Sequence, residues 1–152
     1  MEAQHLSLIN ILNELVEIHN ERIAGYEKAA VETVEQDLKL LFSKLTSESR
    51  EYRMELGNII TSLDGNVTAD ETSTGKFHHV WAVVKEALDS LDRKAILESS
   101  VKAEVSVLEH YEDSFMSPAE MSAETRQVIA KQKQLLKHSH DSIVSLRDSI
   151  IS

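Results

Sequence analysis

The sequence predicts an all-α fold, an antiparallel four-helix bundle with a long crossover that contains a short extra helix. Three observations predict it. The 152 residues include only four glycines and one proline, so the residues that punctuate sheets and turns are scarce. Apolar residues recur at the spacing of amphipathic helices through most of the chain. Only one internal stretch, near the middle, is rich enough in turn formers to be an extended loop.

The composition narrows the classes of function. The chain length is that of one domain, so we expect a single domain over residues 1–152. Without cysteine there is neither a thiolate zinc site nor a cysteine nucleophile. The formal net charge of -10 repels a phosphate backbone and argues against nucleic acid as a partner. No apolar run reaches the roughly 20 residues of a membrane span, and the first residues lack the basic start of a signal peptide, so we expect a cytoplasmic protein with no membrane partner.

The first part of the chain predicts a helical hairpin. Apolar residues at helical spacing define one long helix over about residues 4–33 and a second over about 37–63. The pattern resets around Glu35 to Asp37. Because this connection is so short, the two helices are expected to be antiparallel neighbours.

A long crossover is expected over residues 64–91. It begins with the loop DGNVTADETSTG at 64–75 and continues in a short amphipathic helix from Lys76 to Leu88, which Trp81 is expected to dock on the bundle. A loop of about 12 residues spans roughly 40 Å, the length of a helix of about 27 residues. The connection can therefore return along the whole bundle. One such crossover between the second and third long helices is the ferritin-like arrangement, whereas an up-down-up-down bundle needs only a few residues there.

The last part of the chain predicts a second hairpin. The third long helix is expected over about 92–115, with Asp92 as its N-cap, and the fourth over about 118–151. The segment Ser117-Pro118-Ala119-Glu120 has a capping-box pattern with proline at the first helical position, which predicts a helix start at 118. The hairpins also resemble weak repeats, because ELGNII at 55–60 matches SLRDSII at 145–151. This offset of 90 places residue 48 opposite 138 and residue 51 opposite 141.

Polar residues interrupt the apolar stripes near the middle of the helices. His19 on the first helix and Glu104 on the third occupy core positions, and each precedes a tyrosine by seven residues. Counted from the two turns, His19 is level with Glu51, and Glu104 is level with His138. We therefore expect one polar layer halfway along the bundle. Its predicted members are His19, Glu48, Glu51, Glu104, His138 and Asp141.

Such a layer predicts a metal site, since carboxylate oxygen and imidazole nitrogen suit iron, manganese and zinc. Dimetal bundles take one glutamate from each of two helices and a Glu-x-x-His pair from each of the other two. Neither predicted pair of the layer, Glu48 with Glu51 or His138 with Asp141, is a Glu-x-x-His, so a single ion, or none, is equally compatible with the sequence. In the alternative interpretation, His19 and Glu104 form buried hydrogen bonds with each other or with Tyr26 and Tyr111, and the remaining residues lie on solvated helix faces.

Three segments resemble a known family. GYEKAA at 25–30, HHVWAVVKEAL at 78–88 and HDSIVSLRDSI at 140–150 are similar to segments of uncharacterised bacterial four-helix proteins placed in the ferritin-like superfamily. The resemblance covers nearly the full length, through packing motifs. It implies the fold, a bacterial origin and a role in metal handling or stress, and it transfers no catalytic residue. We expect a ferritin-like bundle that binds a transition metal or, alternatively, a non-catalytic structural or protein-interaction module, with a homodimer as its assembly.

Overall fold

The computed structural model describes residues 2–68 and 77–149. Within these ranges the chain forms five α-helices and no β-strand, which confirms the all-α part of the predicted fold. The helices are α1 (Glu2–Glu32), α2 (Gln36–Ser62), α3 (His78–Ser90), α4 (Arg93–Phe115) and α5 (Ala123–Asp148). Most of the predicted loop and the predicted end of the last helix lie outside the described residues. In the parts that are described, each helix is too short or too polar to cross a lipid bilayer.

The helices α1 and α4 are antiparallel neighbours. At one end of the bundle, Arg93 at the start of α4 donates to the carboxylates of Glu35 and Asp37, which lie at the turn between α1 and α2. Farther along, His110 near the end of α4 meets Glu14 in the first half of α1. The start of one helix therefore lies beside the end of the other.

The helices α2 and α5 are also antiparallel neighbours. Ser139, late in α5, donates to Glu48 in the first half of α2, whereas Gln132, earlier in α5, donates to Glu55 farther along α2. Together with the tight pairs α1–α2 and α4–α5, this places the four long helices around a shared core, with α1 and α5 at opposite corners. Because α2 and α4 run in the same direction, the connection between them has to return along the bundle.

The returning connection carries α3, which packs in the groove between α1 and α4. Trp81 on α3 is buried and meets Tyr26 of α1 edge to face, with ring centroids 5.0 Å apart. The close approach depends on Gly25, since a Cβ added there would lie 2.9 Å from Cε3 of Trp81. The predicted docking role of Trp81 is therefore confirmed. α3 ends at Ser90, and Leu91, which follows it, adopts a left-handed conformation with φ of 56°.

Side-chain caps fix where α4 and α5 begin. Asp92 accepts from the backbone N–H of Lys94 at 3.2 Å, as predicted. The predicted start of the last helix at 118 is wrong, because α5 begins at Ala123. There, Ser122 caps the helix by accepting from the N–H of Thr125 at 3.0 Å. Ser117 instead accepts from an N–H only two residues ahead and forms a local turn, so the helix start moves five residues downstream.

Candidate functional site: a buried polar network

An ion pair lies at the centre of the bundle. The side chains of Arg22 on α1 and Glu104 on α4 are 0% and 1% exposed. Arg22 donates to Glu104 through Nε at 3.0 Å and through Nη2 at 2.9 Å, so the guanidinium binds both carboxylate oxygens in a bidentate interaction. Tyr26 donates to the same carboxylate at 2.7 Å. Burial alone would lower the pKa of Arg22, but the charge and hydrogen bonds of Glu104 outweigh it and raise that pKa.

The third guanidinium nitrogen of Arg22, Nη1, is connected through Ser49 to the buried His19. Arg22 Nη1 donates to Ser49 Oγ at 2.7 Å, and this hydroxyl lies 2.9 Å from His19 Nδ1. Because Ser49 accepts from Arg22, its own proton is available for Nδ1. Tyr111 donates its own proton to Gln132, so its oxygen, 2.6 Å from Nε2, accepts the ring proton of His19, and Nδ1 is left as the acceptor for Ser49. His19 is therefore the neutral Nε2–H tautomer.

The charge state of His19 follows from its surroundings. Burial contributes most to lowering its pKa well below the usual value, and the positive charges of Arg22 and Arg53 lower it further. Protonation would also place a hydrogen on Nδ1, where Ser49 already donates. The ring is therefore uncharged at neutral pH. It accepts a hydrogen bond from the hydroxyl of Ser49 and donates one to the hydroxyl oxygen of Tyr111.

The network continues from Tyr111 to the edge of the bundle. Burial is the main cause that raises the pKa of Tyr111, so its hydroxyl stays protonated and donates to Gln132 Oε1 at 2.7 Å. The amide nitrogen of Gln132 then donates to the backbone oxygen of Tyr52 at 3.2 Å and to Glu55 at 2.9 Å. Glu55 is only partly buried. A continuous chain of hydrogen bonds thus links all four long helices. It runs from the buried guanidinium of Arg22 to the carboxylate of Glu55 near the surface.

Two of the predicted site residues lie where the apolar pattern indicated. His19 and Glu104 are both buried in the core. Their heights differ, however, because Tyr111 is the α4 residue that reaches His19, and Glu104 lies two helical turns before it. Their hydrogen bonds to Tyr111 and Tyr26 match the alternative interpretation of the sequence.

The other four predicted residues do not join them. Glu51 and His138 are exposed, and Asp141 is 56% exposed and bound to Lys137 and His140. Glu48 is partly buried and accepts from Ser139 at 3.1 Å. The structure therefore does not form the predicted six-residue layer. Counting from the turns fixed neither the relative height of the two hairpins nor the side of its helix on which each residue lies.

The central residues, as arranged, do not fit a transition metal. Both ring nitrogens of His19 and both carboxylate oxygens of Glu104 are already engaged by protein groups. The guanidinium of Arg22 supplies the positive charge that Glu104 needs, and it would repel a metal ion placed beside it. Across the described part of the chain, no three His, Cys, Asp or Glu side chains are grouped to hold a metal ion.

The sequence analysis missed Arg22, Ser49 and Gln132. A signal for Arg22 exists, because it follows His19 by three residues and precedes Tyr26 by four, and these spacings share one helix face. An arginine on that face is the natural counter-charge for a buried glutamate. Ser49 and Gln132 carry no comparable signal, since serine and glutamine are common on exposed helix faces.

Comparison with known proteins gives a family and no function. A family profile described as a domain of unknown function, DUF2383, matches residues 7–117. No curated protein matches the chain. The matched range includes Arg22, Glu104 and Tyr111, so the centre of the polar network lies inside it.

Proposed function

We propose that this chain, which belongs to the DUF2383 family of unknown function, is a non-catalytic structural or protein-interaction module of the cytoplasm. In the proposal, the module is built on a ferritin-like bundle. The observation that carries this proposal is the Arg22–Glu104 network. Catalysis needs reactive groups that a substrate or an ion can reach. Here the polar groups of the interior bond to one another, and no buried side-chain nitrogen or oxygen of the described residues is without a partner.

The helix arrangement supports the ferritin-like part of the proposal. Two tight hairpins are joined by one long connection between parallel helices at opposite corners, which is the topology with a single crossover. In the proposal, the polar network takes the interior position that dimetal members of such folds give to their ligands. A guanidinium replaces the cation. Its fixed hydrogen-bond geometry favours one packing of the four helices over alternatives.

A self-association surface is part of the proposal. On α2, Leu40 and Met54 are 65% and 60% exposed, and their spacing of fourteen residues places them on one helix face. We expect two copies to pair through this face as a homodimer. Light scattering after size exclusion tests it. A Leu40→Glu/Met54→Glu double variant should be monomeric and Val31→Glu, exposed on α1, should stay dimeric. A monomeric wild type refutes the homodimer.

The proposal is tested by metal analysis of protein purified without a histidine tag. After incubation with iron, manganese and zinc and removal of free ions, the wild type should retain far less than one equivalent of any of them. One equivalent or more that is lost in Glu104→Gln, while circular dichroism shows that the helices persist, would overturn the proposal. It would restore a metal centre in the middle of the bundle.

Metal handling at the surface is the second candidate, in keeping with a metal or stress role. The observation that favours it is that Glu48 and His138 line one small cavity between α2 and α5. Lys44 lines the same cavity and opposes a cation, which makes this candidate weaker. In the same experiment, metal that is lost in Glu48→Gln/His138→Gln but retained in Glu104→Gln selects this surface site.

A further inference from the structure

A half-enclosed cavity lies between α3 and the groove formed by α1 and α4. Its volume of about 320 Å³ is at the lower end of the range of small-molecule sites, about 300–1,000 Å³. No residue of the buried polar network lines it. Its apolar lining comes from Ile18, Phe77, Val80, Trp81 and Val107.

Two aromatic walls of this cavity are fixed by other parts of the protein. Trp81 is 1% exposed and is held edge to face against Tyr26. His110 lies with Nε2 3.2 Å from Glu14, and its ring meets Phe77 edge to face at 4.9 Å. Because these rings are already held, a ligand that packs against them does not have to order them. Preorganisation of this kind reduces the entropic cost of binding.

The lining residues define the class of ligand. Phe77 and His110, which are 8% and 26% exposed, present accessible aromatic surface, which favours an aromatic ring in an offset or edge-to-face arrangement. Ser106 and His79 add groups that can donate or accept one hydrogen bond each. Among the lining residues that the structure describes, none is Lys, Arg, Asp or Glu. A charged group on the ligand would have no ion-pair partner among these described residues, and this favours a neutral ligand.

We propose that this cavity binds a small, neutral aromatic molecule that carries one hydroxyl or carbonyl group. The ring packs against Phe77 and His110, and the polar substituent points toward Ser106. This inference goes beyond the proposed function and is independent of it, since it holds whether or not the chain binds a metal or pairs with a second copy.

The test uses 2-naphthol as the probe and its saturated counterpart, decahydro-2-naphthol, as the chemical control. Isothermal titration calorimetry measures binding to the full chain. The position of the probe is read from Trp81, because the chain has one tryptophan and its indole N–H gives one signal in a ¹H–¹⁵N spectrum. We expect saturable binding of 2-naphthol, a matching shift of the indole signal, and at least tenfold weaker binding of the saturated alcohol.

A matched pair of variants locates the site. Ser106→Phe places a phenyl group in the cavity and should weaken binding at least tenfold. Ala130→Phe places the same group in a separate groove between α4 and α5 and should leave the affinity unchanged. Should Ser106→Phe fail to fold, Ser106→Leu fills the cavity with a smaller group. Absence of saturable binding to the wild type, equal affinity in both variants, or equal binding of the saturated alcohol each overturns the proposal.

Discussion

The buried ion pair makes a specific prediction about non-additive mutations. Arg22→Met removes both guanidinium hydrogen bonds from the carboxylate of Glu104, which is 1% exposed. Tyr26 is then its remaining hydrogen-bond donor. Glu104→Leu leaves the guanidinium buried without its counter-charge. Breaking a buried pair by removal of one partner costs about 3–5 kcal/mol. Each single variant should therefore lose about that much free energy of unfolding, against a total of about 5–15 kcal/mol for a typical protein.

The double variant should lose less than either single variant. With both charges gone, the main remaining cost is the hydroxyl of Tyr26, which no longer has an acceptor and costs about 1–3 kcal/mol. Ser49 still donates to His19 and loses only an incoming bond. Adding Tyr26→Phe to the double variant should therefore restore stability or leave it unchanged.

Urea unfolding followed by far-UV circular dichroism measures these free energies. Because each single variant is expected to lose a large part of its free energy of unfolding, the whole series is compared in one concentration of a stabilising osmolyte. If the cost in the double variant equals the sum of the two single costs within about 0.5 kcal/mol, the two residues act independently. The interpretation of the network as a coupled unit is then refuted.

Three further predictions concern other parts of the fold. Burial and two nearby arginines lower the pKa of His19, so the unfolded chain takes up the proton first. The stabilisation from neutral His19 should be complete above about pH 6.5 and fall by about 1.4 kcal/mol per pH unit below it, until the pH reaches the folded-state pKa. Urea unfolding across this range should show less pH dependence in His19→Gln, and an unchanged slope contradicts the assignment. Gly25→Ala should destabilise by about 1–3 kcal/mol and shift the fluorescence of Trp81 to the red, because the added Cβ would lie 2.9 Å from the indole ring. Gly57→Ala is its control and should stabilise α2 by about 0.8–1 kcal/mol, since its Cβ meets only ordinary contacts at 3.6 Å; equal effects at both glycines would contradict the packing argument. Ser122→Ala should lower the free energy of unfolding by about 1 kcal/mol through loss of the α5 cap, and no change means that the cap is unimportant.

The helices were predictable because their signal is periodic and local. The apolar spacing predicted the helical character of residues 2–68 and 77–149 and the order of the five helices they form, and Asp92 was predictable as a cap from its position before α4. The start of α5 was not, because two serines compete as caps. Ser117 forms its own turn and Ser122 caps the helix, and a sequence pattern does not rank two such local hydrogen bonds.

The candidate site was predictable only in part. Burial of His19 and Glu104 followed from their place on the apolar stripes. Each bonds the tyrosine of the opposite helix, His19 with Tyr111 and Glu104 with Tyr26, and the spacing of seven along one helix did not predict that crossing. The rotation of each helix about its axis decides which residues meet across the bundle. That rotation turned His138 outward and brought Arg22 inward, and it depends on packing among all four helices.

The tautomer of His19 tests the central claim most directly. Long-range ¹H–¹⁵N spectra of labelled protein at neutral pH resolve the two ring nitrogens. We predict an unprotonated Nδ1, a protonated Nε2, and signals that do not change when one equivalent of zinc is added. A proton on Nδ1, or a zinc-dependent shift of either nitrogen, would contradict a core in which Arg22, Ser49 and Tyr111 already engage the charges and lone pairs.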